Sequence, residues 1–235
     1  MLDPISTRWL PINSKPGLRF YLEADRIALG RKSNTTATRR ISDALGLTSL
    51  IWRYLYFLRT AEYIHNCKTP SIYKLTTEKY LAFRLHRLGL SLGFEMPLNV
   101  FGPGLRIIHY GTIIVNSNAR VGANCELHNL VHIAQNLHNR QKGAASDRGP
   151  TIGDNVFIGP GARVLGDITI ADGIVIGANS IVTRSFDEPN ITIAGAPARK
   201  ISDRGTEVQW GPGDGDDIIN YLAANRRQFS KHDTF

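Results

Sequence analysis

The residues best suited to chemistry in this chain are four histidines that fall between positions 109 and 138. His109 lies in the sequence IIHYG, and His128, His132 and His138 follow it. A neutral imidazole can take a proton from a hydroxyl group, and it can also bind a metal ion. The elements that hold these side chains decide between the two kinds of chemistry.

A repeat of six residues runs through the second half of the chain. Neither an α-helix nor an alternating β-strand has a period of six, so the pattern indicates a repeat architecture. Three such steps make one triangular turn of a parallel β-helix, and the segment predicts about four stacked turns. The repeating aliphatic residues are Ile152, Ile158, Val164, Ile170, Ile176 and Val182, with Val115, Val121, Leu127 and Ile133 upstream, and with Phe101, Ile107 and Ile113 in another frame.

Two irregularities interrupt this repeat. The frame slips by two residues between Ile113 and Val115, just after His109. The segment 136–150 lacks the repeat altogether and is predicted to protrude as a loop. Because functional residues concentrate in such interruptions, both are candidate parts of a site.

The rest of the chain has helical periodicity or turn residues. Helices are predicted over 18–29, 48–65, 76–88 and 217–227, where apolar residues recur at helical spacing. Residues 31–40 are polar and basic and are predicted to be a linker, and the strand-like run 191–201 is predicted to close the repeat. We therefore divide the chain into a helical N-terminal region (1–92), a β-helix domain (93–201) and a C-terminal extension with a helix (202–235).

Composition and charge narrow the classes of function. The chain has 235 residues with 42% hydrophobic and 20% charged side chains, which is typical of a globular protein, and its two cysteines form no disulfide scaffold. The net charge of +8 comes from residues 1–92, which hold 15 Lys and Arg against 6 Asp and Glu. No basic motif is interleaved with aromatics, so we expect no nucleic-acid partner, and an anionic membrane surface or glycan carrier fits the charge better.

Targeting signals give one further expectation. The segment MLDPISTRWLPINSKPG has no apolar core of a signal peptide, and no run approaches the roughly 18 apolar residues that span a bilayer. We therefore expect a cytoplasmic protein.

Four segments resemble the hexapeptide-repeat acyltransferases that fold as a left-handed parallel β-helix, and within them the serine acetyltransferase-like branch. The resemblance implies acetyl-CoA as the donor, a homotrimer with active sites between neighbouring β-helices, and a histidine as general base. It leaves open whether two trimers associate through the N-terminal helices. The segments are GPGLRIIHYGTIIVNSNARVG (102–122), DRGPTIGD (147–154), IGDNVFIGPGARVLGDITIADGIVIGANSIV (152–182) and AGAPARK (194–200).

The resemblance assigns the catalytic roles to two residues. His109 matches the general base of the family, although a histidine there could also be a repeat residue bonded to backbone. Glu95, fourteen residues upstream in GFEMP, matches with one deletion the carboxylate that orients this base. The same side chain could equally be a solvated charge at the start of the β-helix.

The resemblance also places coenzyme A along the β-helix between subunits. Small residues matching its pantetheine contacts are Gly159, Ala178 and Ala196, and the basic residues near its phosphates are Arg199 or Lys200. Glycine and alanine also have structural roles at corners, and the basic side chains could be ordinary surface charge.

Departures from the family pattern concern the acceptor. Ile108 replaces the aspartate that reads the amino group of serine, and Gly149 replaces a second histidine. Arg148 remains, either to hold an acceptor carboxylate or to pair with Asp147, and His138 is a reserve candidate for substrate contact. These departures favour a sugar hydroxyl of a surface glycan or its precursor, with serine acetylation for cysteine synthesis as the alternative.

Two other classes of function remain to be weighed. The same fold hosts a three-histidine zinc class of hydratases, but the repeat frame places His128 and His132 at opposite ends of one triangle edge, so we expect no metal site. A non-catalytic basic binding module lacks a supporting motif. We therefore predict an O-acetyltransferase that uses acetyl-CoA.

Overall fold

The computed structural model describes residues 9–30, 49–67, 72–135, 148–209 and 216–229. The predicted linker 31–40 lies outside these ranges, as do residues 136–147 of the predicted loop, including His138. The helices are α1 (Lys15–Ala28), α2 (Leu50–Asn66), α3 (Ile72–Leu92), α4 (Thr206–Gln209) and α5 (Asp216–Phe229). None of the helices in these ranges is long and apolar enough to cross a bilayer.

Short strands fill the segment between α3 and α4 and form three sheets. Their orders are β1-β3-β6-β9-β12, β4-β7-β10 and β2-β5-β8-β11-β13-β14, and from β3 to β12 the chain enters the three sheets in rotation. Every strand pair is parallel except β13 with β14. The strands are β1 (Phe94–Glu95), β2 (Arg106–Ile107), β3 (Ile113–Val115), β4 (Arg120–Val121), β5 (Glu126–Leu127), β6 (Val131–Ala134), β7 (Thr151–Ile152), β8 (Phe157–Ile158), β9 (Arg163–Leu165), β10 (Thr169–Ile170), β11 (Val175–Ile176), β12 (Ile181–Val182), β13 (Thr192–Gly195) and β14 (Ala198–Ser202).

The repeating aliphatic residues form the core between these sheets. All of those predicted from the six-residue period are buried, and from Ile152 to Val182 each has 0% of its surface exposed. Burial of one such side chain stabilises a fold by about 1.5–3 kcal/mol. The period of six is therefore confirmed as the core pattern, and we call residues 94–202 the repeat region.

The two-residue slip of the frame lies elsewhere than predicted. Ile113–Val115 is an unbroken strand that pairs in regular register with β6. Residues 108–112 join β2 to β3, whereas the equivalent corner one turn on, 128–130, has two residues fewer. The predicted position was wrong because strands must keep their register to pair, so extra residues collect in a corner. We call 108–112 the expanded corner.

The end of the repeat region is a hairpin. The run 191–201, predicted to be strand-like, forms β13, parallel to β11, and then turns back as β14, antiparallel to β13. The hairpin pairs the free edge of β13, which would otherwise be a template for association with another chain.

The helices match the predicted ones with shifted ends. Helix α1 begins before the predicted residue 18 because Ser14 caps it, accepting a hydrogen bond from the Gly17 N–H (3.2 Å), and Pro16 fits its first turn. Helices α2 and α5 lie close to their predicted ranges, α3 is longer at both ends, and α4 was not predicted. Helix α5 packs on α1, where the rings of Phe20 and Phe229 stack at 4.4 Å.

A buried ionic cluster joins the helices to the first turn of the repeat region. Arg59 of α2 is fully buried between the carboxylates of Asp25 (Nε to Oδ2, 2.8 Å) and Glu62 (Nη1 to Oε2, 3.1 Å). Its guanidinium also donates to the carbonyl oxygens of Phe101 (2.9 Å) and Gly102 (2.7 Å). We call Asp25, Arg59 and Glu62 the junction cluster.

The carboxylates of the junction cluster bind the same stretch of backbone. Asp25 Oδ1 accepts from the N–H groups of Gly104 (2.9 Å) and Leu105 (2.8 Å), and Glu62 Oε1 accepts from that of Asn99 (2.8 Å). The helices are thus fixed to the repeat region through backbone groups that the strands leave unpaired.

Candidate active site

His109 lies in the expanded corner, and its side chain is exposed. The corner returns to the strand through Gly111, whose φ of +124° suits glycine and whose N–H donates to the Leu92 carbonyl (3.0 Å). A Cβ at Gly111 would lie 3.1 Å from that of Asn129 in the next turn. The two extra residues therefore carry an imidazole outward to a position that a substrate can reach.

His128 is an aromatic neighbour of His109. It occupies the corresponding corner one turn on, and the centroids of the two imidazole rings are 5.6 Å apart at 61°. On its other side, His128 lies 4.9 Å from the ring of Phe157. With 17% of its side chain exposed, His128 is held between two rings.

Glu126 fixes the polar edge of His128. Its Oε1 lies 3.1 Å from His128 Nε2, and its Oε2 pairs with Arg106 Nη1 at 3.2 Å. Only 8% of the Glu126 side chain is exposed, and a buried carboxylate needs such partners to offset its desolvation. An ionised carboxylate can only accept, so Nε2 of His128 carries the proton. We call Arg106, His109, Glu126 and His128 the His109 cluster.

Sequence reasoning missed Glu126 and treated His128 only as a potential metal ligand. The signal that could have found both is the strand register: Arg106 pairs with Glu126, and Ile107 with Leu127. This register follows wherever the two-residue slip lies between Ile107 and Leu127.

The structure places Glu95 on a different sheet from the strand that precedes His109. Glu95 belongs to β1 and pairs with Ile114, on a different sheet from β2. It lines an apolar cavity of about 520 Å³ between the helices and the repeat region, together with Tyr54 and Met96. Within the described ranges no hydrogen bond, ion pair or ring contact joins its side chain to His109, so its orienting role stays a prediction.

The predicted acceptor residues lie near the end of the loop. Arg148 is exposed, and Gly149 is buried against the backbone of the neighbouring turn. A Cβ at Gly149 would lie 2.7 Å from the Ala119 nitrogen, so no larger side chain fits this backbone. Ile108 is half-buried, and its N–H donates to the Leu127 carbonyl (3.1 Å).

The predicted coenzyme A contacts follow the same corner of the repeat region as His109. His109 comes after β2, Gly159 after β8, Ala178 after β11 and Ala196 after β13, all strands of one sheet. Gly159 is also required by packing, because a Cβ there would lie 2.8 Å from the Ile176 oxygen. One edge of the molecule therefore carries the predicted base and the predicted small-residue contacts.

The two basic candidates are exposed residues of β14. Arg199 has its side chain in solvent. Lys200 Nζ binds Asp203 (2.5 Å) and Glu188 (2.6 Å), and these hydrogen bonds raise the pKa of Lys200, that from Asp203 most. A phosphate would have to compete with two carboxylates for Lys200, whereas no carboxylate of the described residues forms an ion pair with Arg199.

The described residues contain no group of three side chains arranged to hold a metal ion. His128 follows β5, whereas His132 belongs to β6 in another sheet, paired to Ile114 and Arg163.

Comparison with known proteins gives one family. The bacterial transferase hexapeptide family (six repeats) matches residues 149–184. A serine acetyltransferase of Synechococcus elongatus is 32% identical over 151 residues, which are 64% of this chain and 56% of that protein. The chain thus spans little more than half the length of this relative.

Solved structures of serine acetyltransferases share the fold. The enzyme of Brucella abortus strain S19 has a TM-score of 0.57 and 25% identity, covering 81% of this chain and 71% of its own, and it has also been solved with coenzyme A. The soybean enzyme in complex with serine has a TM-score of 0.59 and 25% identity, covering 80% and 70%.

These relatives bear on the acceptor. Their names support the alternative of serine acetylation, and they give no support to the preferred prediction of a surface-glycan sugar or to a role in polysaccharide biosynthesis. The repeat match, the related sequences and the shared fold agree: the chain is similar to the hexapeptide-repeat acyltransferases, and among them to serine acetyltransferases.

Proposed function

We propose that this protein transfers an acetyl group from acetyl-CoA to a hydroxyl oxygen, with His109 as the general base. The main support for the proposal is that the exposed His109 and the small residues Gly159, Ala178 and Ala196 lie along one corner of the repeat region, each after a strand of the same sheet. In this proposal the three sheets are the faces of a left-handed parallel β-helix, and the pantetheine arm lies along that corner.

The chemistry requires one proton transfer and no redox step. The acceptor oxygen attacks the thioester carbon while His109 removes the hydroxyl proton, the carbon–sulfur bond breaks, and the proton passes to the departing thiolate. The products are an O-acetyl ester and free coenzyme A. A well-placed base of this kind contributes about 100- to 10,000-fold to the rate.

We propose L-serine as the acceptor. The names of the related proteins and the serine bound to the soybean enzyme support this choice. Neither Ile108 nor Gly149 supplies a charged group to the substrate, so recognition of the amino acid rests on other residues, among which the exposed Arg148 suits its carboxylate.

The proposed assembly is a homotrimer with sites between neighbouring copies. A second copy packed along the corner would cover the exposed His109 and exclude water from the thioester. Sedimentation or light scattering of the full chain measures this directly, and a monomer that turns over substrate would contradict it.

The first test is release of coenzyme A from acetyl-CoA in the presence of L-serine. We expect His109→Ala to lower kcat/KM by about 100- to 10,000-fold. His132→Ala is the matched control, because it removes an imidazole of the neighbouring sheet, and we expect it to keep the wild-type rate. If His109→Ala retains full activity, His109 is not the base.

A panel of acceptors tests the choice of serine separately. Sugars and sialic acid are compared with L-serine at equal concentration, and the acetylated product is identified by mass spectrometry. Turnover of sugars without turnover of serine would overturn the acceptor while leaving acetyl transfer intact.

A further inference from the structure

We infer that Glu126 and His128 together orient the imidazole ring of His109. In other sites a single carboxylate next to the base usually has this role. The inference rests on the proposed role of His109 and names the residues that hold it. Neither residue belongs to the sites predicted for coenzyme A or the acceptor.

The contacts form a continuous series from a buried anion to the exposed base. Arg106 and His128 bind opposite oxygens of the Glu126 carboxylate, and the ring of His128 contacts that of His109. Phe157 closes the far side of His128 at 4.9 Å. Because each member is held by the next, the orientation of the His109 ring depends on the buried pair.

Glu126 also fixes the orientation of His128. The contact between the carboxylate and Nε2 holds one edge of the ring in place. A ring held at that edge presents a constant face to His109, whereas a ring that turned freely would not. The ion pair with Arg106 supplies the carboxylate with a second partner.

Two other positions are less suited to this role. Glu95 lies on another sheet and lines an apolar cavity next to the helices. Gly149 has no room for a side chain, because its Cβ would lie 2.7 Å from the Ala119 nitrogen. The second imidazole of the site therefore comes from the corner after β5.

The test compares Glu126→Gln and His128→Gln with His132→Gln in the full-length protein, using acetyl-CoA and L-serine. We expect both cluster variants to lower kcat by about 10- to 100-fold, the range known for loss of groups that orient metal-bound histidines. The KM for each substrate should stay within about twofold, and the melting temperature and the kcat of His132→Gln should match wild type.

A second measurement follows the ring of His109 itself. The ¹⁵N resonances of its imidazole should shift in His128→Gln and not in His132→Gln. This readout needs no turnover, so it applies whichever hydroxyl compound is the acceptor. If Glu126→Gln fails to fold, the resonances in His128→Gln still test whether the pair orients His109.

The outcomes separate this inference from the proposed function. Wild-type kcat and unchanged His109 resonances in both cluster variants would overturn the pair while the transferase remains. A fall in kcat in Glu95→Gln alone would assign the orienting role to Glu95. Absence of acetyl transfer in the wild type would overturn the proposed function, and the resonances would still report on the pair.

Discussion

The repeat region and the helical region are stabilised by different kinds of contact. In the repeat region, identical apolar steps stack on one another, and each turn needs only its neighbours. The helical region contains instead one buried cation, Arg59, that binds the neighbouring Glu62 and three groups far away in sequence: the Asp25 carboxylate and two carbonyl oxygens. Periodicity specifies the first region, and a buried polar network together with the apolar face of α2 joins the second to it.

This difference predicts how damage spreads. A repeat distributes its stability over many equivalent contacts, so a small change in one turn weakens only the contacts of that turn and its neighbours. The junction cluster has no equivalent elsewhere in the described ranges, and a change there leaves several buried polar groups without a partner at once.

The largest effect is expected for Arg59→Met. This change leaves the Asp25 and Glu62 carboxylates buried without their cation, and loss of one partner from a buried ion pair costs about 3–5 kcal/mol. Urea unfolding measures the loss. A cost below about 1 kcal/mol would contradict the view that the cluster holds the junction.

A smaller effect is expected for Ile158→Val in the middle of the repeat region. Ile158 is completely buried, and removal of one methyl group from such a site costs about 0.5–1.5 kcal/mol. The same urea titration gives the value. If Ile158→Val destabilised the protein more than Arg59→Met, the contrast between the two regions would be lost.

The smallest effect is expected for Glu62→Gln. The cluster has two carboxylates for one guanidinium, and burial raises the pKa of Glu62 above its ordinary 4.5 despite the opposing effect of Arg59. The variant leaves a balanced pair of Arg59 and Asp25, and the amide oxygen can still accept from the Asn99 N–H. We therefore expect a change below about 1 kcal/mol at pH 7.

The pH dependence of that variant has a definite sign. Because the folded state holds a proton on Glu62 more readily than the unfolded state, the contribution of Glu62 to stability is present at low pH and is lost as pH rises above 4.5 through the raised pKa. The free energy of unfolding of wild type minus that of Glu62→Gln should fall between pH 5 and pH 7. A difference that rises with pH would mean that Arg59 controls the Glu62 carboxylate.

The sequence was sufficient for the parts of the molecule that repeat. The six-residue period predicted the buried residues, and helical spacing predicted α1, α2, α3 and α5 to within a few residues of their ends. The hairpin of β13 and β14 and the short helix α4 were not predicted, because neither follows a period.

Only part of the candidate site could be predicted from the sequence. His109 was found through the resemblance, but Glu126 was missed because no motif marks it, and only the pairing of strands one turn apart brings it beside Arg106. The junction cluster was missed for another reason: Asp25 and Arg59 belong to separate helices, and no spacing rule joins them.

The expanded corner also bears on how this protein could be engineered. Its extra length is absorbed without disturbing the strands on either side, since β2 pairs with β5 and β3 with β6 in ordinary register. The two extra residues that place the imidazole are therefore a local insertion, and the strands on either side do not depend on it. A two-residue deletion within 108–112 is expected to retract His109 toward the position that His128 has in the next turn, giving a folded but inactive chain. The same two-residue insertion at another corner would place a reactive side chain at a new position on an unchanged fold.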